Sequence, residues 1–323
     1  MQLNSNSIKK IIFLVPPKVQ LLDLTGPIHV FYEAIEYNAP FELHYTSIYQ
    51  DKSIITSCAG LQFANLIPYD EIELSSSDYI FVPGINFELL SDIDFLSDCA
   101  PFFKWLREQY SKNVQICSIC TGTFLLAQAG VLKGKNCTTH WNRMEYFSKR
   151  FPNIELSRNK LFVVDENVYS SAGVTAGIDM ALHIIELELG VKYAIDVAKK
   201  MVIYFRRGEE DSQISAYLNY RNHMDNRVHE TQNYIMNNLE YSSPNIDVAD
   251  SVNMSVRNLT RLFKKTTGIT LGSYRENLRI ERASQLLAEK NTLETVTKAC
   301  GLKSIHHLRT LIKKHKGKLP SEF

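Results

Sequence analysis

The chain has 323 residues, 45% of them apolar, enough for two ordinary cores. Its net charge of +1 hides an asymmetry: residues 221–323 carry 17 basic and 10 acidic side chains, residues 1–220 carry 19 and 25, so a polyanionic partner suits one end only. Met1–Ser7 is polar, Ile11–Pro16 is too short for a leader or a membrane span, and six scattered cysteines make no disulfide framework; a cytoplasmic protein without membrane contact is expected.

The first 200 residues alternate strand-like and helical runs. Ile11–Val15 is uninterruptedly apolar, as a strand buried on both faces should be. Gly26-Pro27 opens a helix through Ala34. Phe41–Ile48 alternates as a strand, Tyr79–Pro83 is a third strand ending at Gly84, and Ala100–Tyr110 is an amphipathic helix. Val114–Cys117 is a fourth strand, and Thr121–Ala129 is a helix stopped by Gly130. Trp141–Lys149 is helical, Phe162–Val164 and Val168–Ser170 read as a hairpin, and Gly177–Leu189 is a long apolar helix. This order predicts an α/β fold, a flavodoxin-like doubly wound and mostly parallel sheet, over 1–205. A charged, weakly periodic linker is predicted over 206–222. An all-α domain with two helix-turn-helix units is predicted over 223–323.

In the first helix-turn-helix, Val248, Ala249 and Val252 give helix one its small apolar face, Asn253-Met254 makes the turn, and Ser255 caps helix two. Leu259, Leu262 and Phe263 face inward, leaving Arg257, Thr260, Arg261 and Lys264 outward, where an arginine fork matches the two acceptors of guanine. In the second, Ala299 and Gly301 fill the crowded positions, Ser304 caps, and Leu308 and Leu311 face inward. Ile305, His306, Arg309 and Lys313 face out. Lys265 and Lys314, with Lys316 and Lys318, are placed to meet phosphates. The helix Leu271–Leu287 is the spacer that sets two reading helices into successive major grooves, about 34 Å apart. A generic helical bundle with basic faces is the plainer alternative.

The acidic half holds its own constellation. Val114–Cys120 turns sharply into Thr121-Gly122 and a helix, the layout of a nucleophile elbow, where a helix N-terminus would lower the Cys120 thiol pKa. Asp23 lies just past the first strand, and His140 just past a short strand at Thr138-Thr139. Cysteine, carboxylate and histidine at one sheet edge suit either a hydrolytic or hydratase site or a small-molecule pocket. Each has a structural alternative: Cys120 as tight-turn packing, Asp23 as a helix cap, His140 as a hydrogen-bonder beside Trp141, and Thr175 and Asp179 as caps of a long helix. Cys117 lies in a strand, so Cys117 and Cys120 are not expected to form a redox or metal pair. No metal or cofactor is expected.

The carboxyl-terminal segment Met254–Lys264, with Gly268, Tyr274, Leu278-Arg279, Ala283 and Leu286-Leu287, resembles the AraC/XylS-type regulators. The resemblance implies base reading from Arg257, Thr260 and Arg261. The second unit departs from that pattern at Leu302, Thr310 and Ile312, which implies weak binding there, or binding mainly through phosphates. The segments Ile11–Val15, Asp23–Pro27, Val82–Gly84, Ile119–Gly122, Thr138–Trp141 and Ser171–Asp179 resemble the class I glutamine amidotransferase-like ThiJ/PfpI superfamily. More closely, they resemble the amidase-like half of GlxA-type regulators. That resemblance implies ligand contacts from Asp23, Gly84, Cys120, Thr121, His140 and Thr175. It also implies a small, nitrogenous effector, a homodimer on a double-stranded DNA operator, contact with the transcription machinery, and no enzymatic role. The competing expectation is a cysteine-dependent amidase, or an enzyme like isonitrile hydratase, carrying a DNA-binding appendage.

Overall fold

The computed structural model describes residues 8–158, 160–203, 220–221, 223–241 and 243–323. The chain divides into two compact units, Met1–Gln213 and Ile214–Phe323. Of the linker predicted over 206–222, all but Tyr220 and Arg221 lies outside the described residues.

Seven strands form the central sheet of the first unit: β1 (Lys9–Val15), β2 (Phe41–Ser47), β3 (Ile67–Pro68), β4 (Tyr79–Val82), β5 (Gln115–Ile119), β6 (Phe162–Asp165) and β7 (Val168–Ser171). Their order is β6-β7-β5-β4-β1-β2-β3, and every pairing is parallel except the β6–β7 hairpin. Helices α1 (Leu21–Glu36), α2 (Ala100–Ser111), α3 (Gly122–Ala129), α4 (Thr175–Leu189) and α5 (Val191–Lys200) cover it.

The strand period of two divides β1 between two cores. Ile11, Phe13 and Val15 pack with Phe31 of α1 and Met180 and Ile184 of α4. Ile12 and Leu14 pack on the other face with Phe102 and Leu106 of α2 and Phe124 of α3. Each such fully buried side chain contributes about 1.5–3 kcal/mol, which is why the first strand carries no polar alternation.

Several helix boundaries differ from expectation. Helix α1 starts at Leu21, not at Gly26-Pro27, and Pro27 lies inside it. Proline there removes one helical hydrogen bond, but Leu24, Val30, Phe31 and Ala34 are buried on that helix and hold it in place. Gly26 is a close-approach site: a Cβ there would sit 2.9 Å from Ile178 of α4. Helix α4 begins at Thr175, two residues before Gly177, which lies against Ile119 of β5. The predicted helix over Trp141–Lys149 is a 3-10 turn, Trp141–Arg143, and then an α-helix over Met144–Arg150.

Every described element of the second unit is helical: α6 (Asn226–Asn237), α7 (Asn245–Asp250), α8 (Val256–Thr267), α9 (Leu271–Ala288), α10 (Leu293–Ala299) and α11 (Ile305–Lys316), with a short 3-10 turn at the end. Two cores share α9. Its Leu271, Tyr274 and Leu278 pack with Val228, Val248, Leu259 and Phe263. Its Ile280, Ala283 and Leu287 pack with Val296, Cys300, Leu308 and Ile312. The spacer is thus a structural member of both helix-turn-helix units. Gly301 (φ 59°) sits against the carbonyls of Leu239 and Glu240, 2.5 and 2.8 Å from where a Cβ would stand. Here only glycine meets both the turn and the close contact.

Candidate functional site

Strands β1, β4 and β5 are adjacent, and their carboxyl ends carry Asp23, Gly84 and Cys120 toward one another. Ligands of open α/β sheets bind outside such strand ends. Cys120 lies between β5 and α3 with φ of 56°. A non-glycine residue there costs on the order of 1–3 kcal/mol. Its N–H donates to the Ser171 carbonyl (2.9 Å), and its own carbonyl accepts the Thr139 hydroxyl (2.8 Å). Behind it, Gly173 (φ 97°) packs directly on the cysteine Cβ and Sγ, so no side chain fits at that position.

Asp23 projects from the first turn of α1 and is 1% exposed. It makes no cap for its own helix; its Oδ1 accepts the Val174 N–H at 2.6 Å, at the start of α4. Oδ2 is buried, touches Gly84 and has no aligned hydrogen-bond partner. Burial raises the Asp23 carboxyl above its ordinary 3.8, against the opposing pull of the Val174 N–H. Burial and the adjacent Asp23 push the Cys120 thiol well up. This reverses the sequence expectation of a lowered thiol pKa: the helix N-terminus is outweighed because the sulfur is desolvated beside a carboxyl.

The raised carboxyl has a testable consequence. A group with a folded pKa above its unfolded value stabilises most below the unfolded value, and that contribution is lost as pH rises through the folded value. Asp23→Asn keeps an acceptor for Val174 and is therefore expected to melt above wild type at pH 7, with no gain below pH 3.8. A lower melting temperature at pH 7 would contradict the upward shift and mean that the native site favours the charged carboxyl.

A cavity of about 580 Å³ opens at this edge, lined by Asp23, Cys120, Thr121 and His140 together with Gln20, Leu22, Ile85, Asn86, Phe87, Glu88, Asn142, Arg143 and Val174. His140 is half-buried, and its Nδ1 accepts the Asn142 N–H (3.3 Å). Burial and Arg143 lower its pKa, so the ring is neutral at pH 7. No hydrogen bond joins it to Cys120 or Asp23 among the described residues. The Thr121 hydroxyl accepts the Ile85 N–H (2.9 Å) and donates to the Ile85 carbonyl (3.0 Å), so it staples the loop after β4. Thr175 is exposed and absent from the lining; its neighbour Val174 lines the cavity instead.

Sequence reasoning missed Ile85–Glu88, Gln20, Leu22, Asn142, Arg143 and Val174. The first group lies just beyond the carboxyl end of β4, a position that the sheet-edge rule could have flagged. Nothing in the sequence marks Arg143, whose guanidinium lies 3.9 Å over the Phe87 ring.

In the second unit, Asn253 (φ 52°) makes the turn and Ser255 caps α8 through the Asn258 N–H (3.3 Å). Leu259 and Phe263 are buried, while Arg257, Arg261, Lys264 and Lys265 are exposed. Arg257, Thr260, Arg261 and Lys264 line an open groove of about 480 Å³ together with Asn245, Thr270, Leu271 and Gly272. The Thr260 hydroxyl donates to the Val256 carbonyl (2.8 Å), so its proton is engaged within the helix. Ser304 caps α11 through the His307 N–H (3.2 Å). His306, Arg309 and Lys313 are exposed, and Ile305 is half-buried. Lys314, expected to meet phosphate, is ion-paired with Glu276 of α9 (2.9 Å), and His315 Nε2 is hydrogen-bonded to the same carboxylate (2.8 Å). The cause is geometric: the shared core brings the end of α11 beside α9. Such a surface pair is worth about 0–1 kcal/mol.

The α/β unit, with an acid beside an elbow cysteine, defines a class, and the comparisons identify it. The chain belongs to the DJ-1/PfpI family, whose model matches residues 9–187. A second model, described as a helix-turn-helix domain, matches 248–323. The HTH-type transcriptional regulator GbdR of Pseudomonas aeruginosa is 31% identical over 220 residues, spanning 68% of this chain and 59% of that regulator. Isonitrile hydratase of Pseudomonas putida is 32% identical over 183 residues, spanning 56% of this chain and 73% of that enzyme. A crystal structure of a ThiJ/PfpI family protein from Pseudomonas syringae, 24% identical, superposes with a TM-score of 0.50 over 64% of this chain and 81% of the other; it speaks to the fold alone. Among the described residues, no helix is long and apolar enough to cross a membrane.

Proposed function

We propose that this chain is a sequence-specific, DNA-binding transcriptional regulator whose α/β unit senses a small nitrogenous metabolite. The carrying observation is the pair of serine-capped helix-turn-helix units on one spacer, the first presenting Arg257, Arg261 and Lys264 to solvent beside a groove. Exposed arginines at the start of a capped helix supply base contacts, and exposed lysines supply phosphate contacts. The effector sits in the cavity lined by Asp23, Cys120 and His140 and shifts the population of DNA-binding states. The regulator works in the cytoplasm as a homodimer; light scattering that finds only monomer at micromolar concentration would remove the dimer. Selection of binding sites from random duplexes is the decisive measurement. Enrichment of a defined sequence is the expected result, and salt-sensitive binding with no enrichment would leave a non-specific DNA binder.

One observation favours a second reading, an enzyme like the hydratase relative: Cys120 and Asp23 stand together at the elbow. Against it stands the protonated thiol, since the thiolate is the nucleophile. At pH 7.5 iodoacetamide is expected to modify the exposed Cys58 and leave Cys120 unmodified in the folded chain, as read by peptide mass mapping. Rapid labelling of Cys120, with turnover of an amide or isonitrile that Cys120→Ala abolishes, would establish the enzyme.

A further inference from the structure

Val174 joins the cavity to the last helices of the α/β unit. Its backbone stands at φ 52°, ψ −117°, a region that β-branched residues almost never occupy. Such a residue persists only where its surroundings hold it. Here one contact does so from across the chain: the Val174 N–H donates to Asp23 Oδ1 at 2.6 Å. Gly173, immediately before it, is wrapped against Cys120. The Val174 side chain is 42% exposed and lines the same cavity as Asp23 and Cys120. The strained residue therefore lies within reach of whatever fills the cavity.

Helix α4 gives the strain an outlet. It starts at the residue after Val174, and its first turns pack on α1 through Ile178 against Gly26 and Gly177 against Pro27. Helix α5 comes directly after α4 and buries Ala194 and Val197. These are the last described elements of the unit before the chain runs on to the helix-turn-helix unit.

We propose that Asp23 and Val174 form a ligand-released clamp. An effector in the cavity that draws Asp23 Oδ1 to itself takes the acceptor from the Val174 N–H. Val174 then leaves the left-handed region, the first turn of α4 moves, and DNA affinity changes. Val174 is a positioning residue in this scheme. The inference rests on the reading of the cavity as an effector site and adds how occupancy is transmitted.

Hydrogen exchange on the full chain tests the clamp without a ligand. Asp23→Ala is expected to speed exchange at residues 174–178 by about tenfold or more, because it opens a local unit. In a Val174→Gly background the same substitution is expected to add less than about threefold, since glycine accepts this conformation without strain. Asp23→Asn keeps the acceptor and is expected to exchange as wild type does. On the duplex selected with wild type, the Asp23→Ala chain is expected to bind with affinity changed by about fivefold or more. Equal effects of Asp23→Ala in the two backgrounds would overturn the clamp. Non-additive exchange with unaltered duplex affinity would overturn the transmission. Failure of the sensor reading registers separately, as a flat thermal shift of wild type across a panel of small amines and amides.

Discussion

Replacing Arg257 and Arg261 together by alanine is expected to weaken binding to the selected duplex by on the order of a hundredfold or more. The basis is the value of a good arginine–base pair, about 1–3 kcal/mol of discrimination each. Both side chains are exposed on α8, and the helix itself is held by Leu259 and Phe263, which are fully buried. The substitutions therefore remove the proposed base contacts and leave the fold intact. Affinity for random DNA is expected to fall far less, because only the charge contribution is lost there. Lys265→Ala gives the contrast: a similar loss on every sequence and a salt slope lower by about one. Competition gel shifts at two salt concentrations separate the cases. Equal losses on selected and random duplexes for the double arginine variant would reduce both residues to phosphate contacts.

Gly122→Ala is expected to destabilise the α/β unit strongly. Two effects oppose each other. Alanine in a helix gains up to about 1 kcal/mol over glycine from propensity. At Gly122, however, the added Cβ would fall on the Val82 carbonyl oxygen, with the Pro83 carbonyl oxygen 2.9 Å away. Both are backbone atoms, and neither can turn aside as a flexible side chain can. Overpacking of this kind costs about 1–3 kcal/mol, or more where backbone must move. The clash wins, and the melting temperature should drop by several degrees, at about 2–4 °C per kcal/mol for a unit of this size. Displacement of α3 from β4 would also open the cavity edge. A melting temperature equal to wild type would show that α3 and β4 separate more easily than their packing implies.

Much of this was legible in the sequence because it depends on local periodicity. Uninterrupted apolar runs marked the buried strands, and Ser255 and Ser304 marked the starts of α8 and α11, where the structure has N-caps. The outward set Arg257, Arg261 and Lys264 came from the inward set, since a helix has only one face to bury. Other features were illegible because they depend on which elements touch. The start of α1 was misplaced since Gly26-Pro27 looks like punctuation, whereas the glycine serves contact with α4 and the proline is tolerated by a buried helix. The protonation of Cys120 was misjudged because the helix end is visible in sequence and desolvation is not. Lys314 was given to phosphate because Glu276 lies 38 residues away in sequence.

The sequence by itself determined the order of elements, the two-part character of the chain, the positions of Asp23 and Cys120 at strand ends, and the cationic face of α8. These are properties of short windows, in which residue type and spacing decide the outcome. Tertiary structure alone decided that Asp23 grips Val174 rather than its own helix, that the Thr121 hydroxyl is spent on Ile85, and that Arg143 and Phe87 frame the cavity. The reason is common to all three: each interaction joins groups on separate elements, and its geometry exists only once the sheet has set strand order and the helices have packed on it.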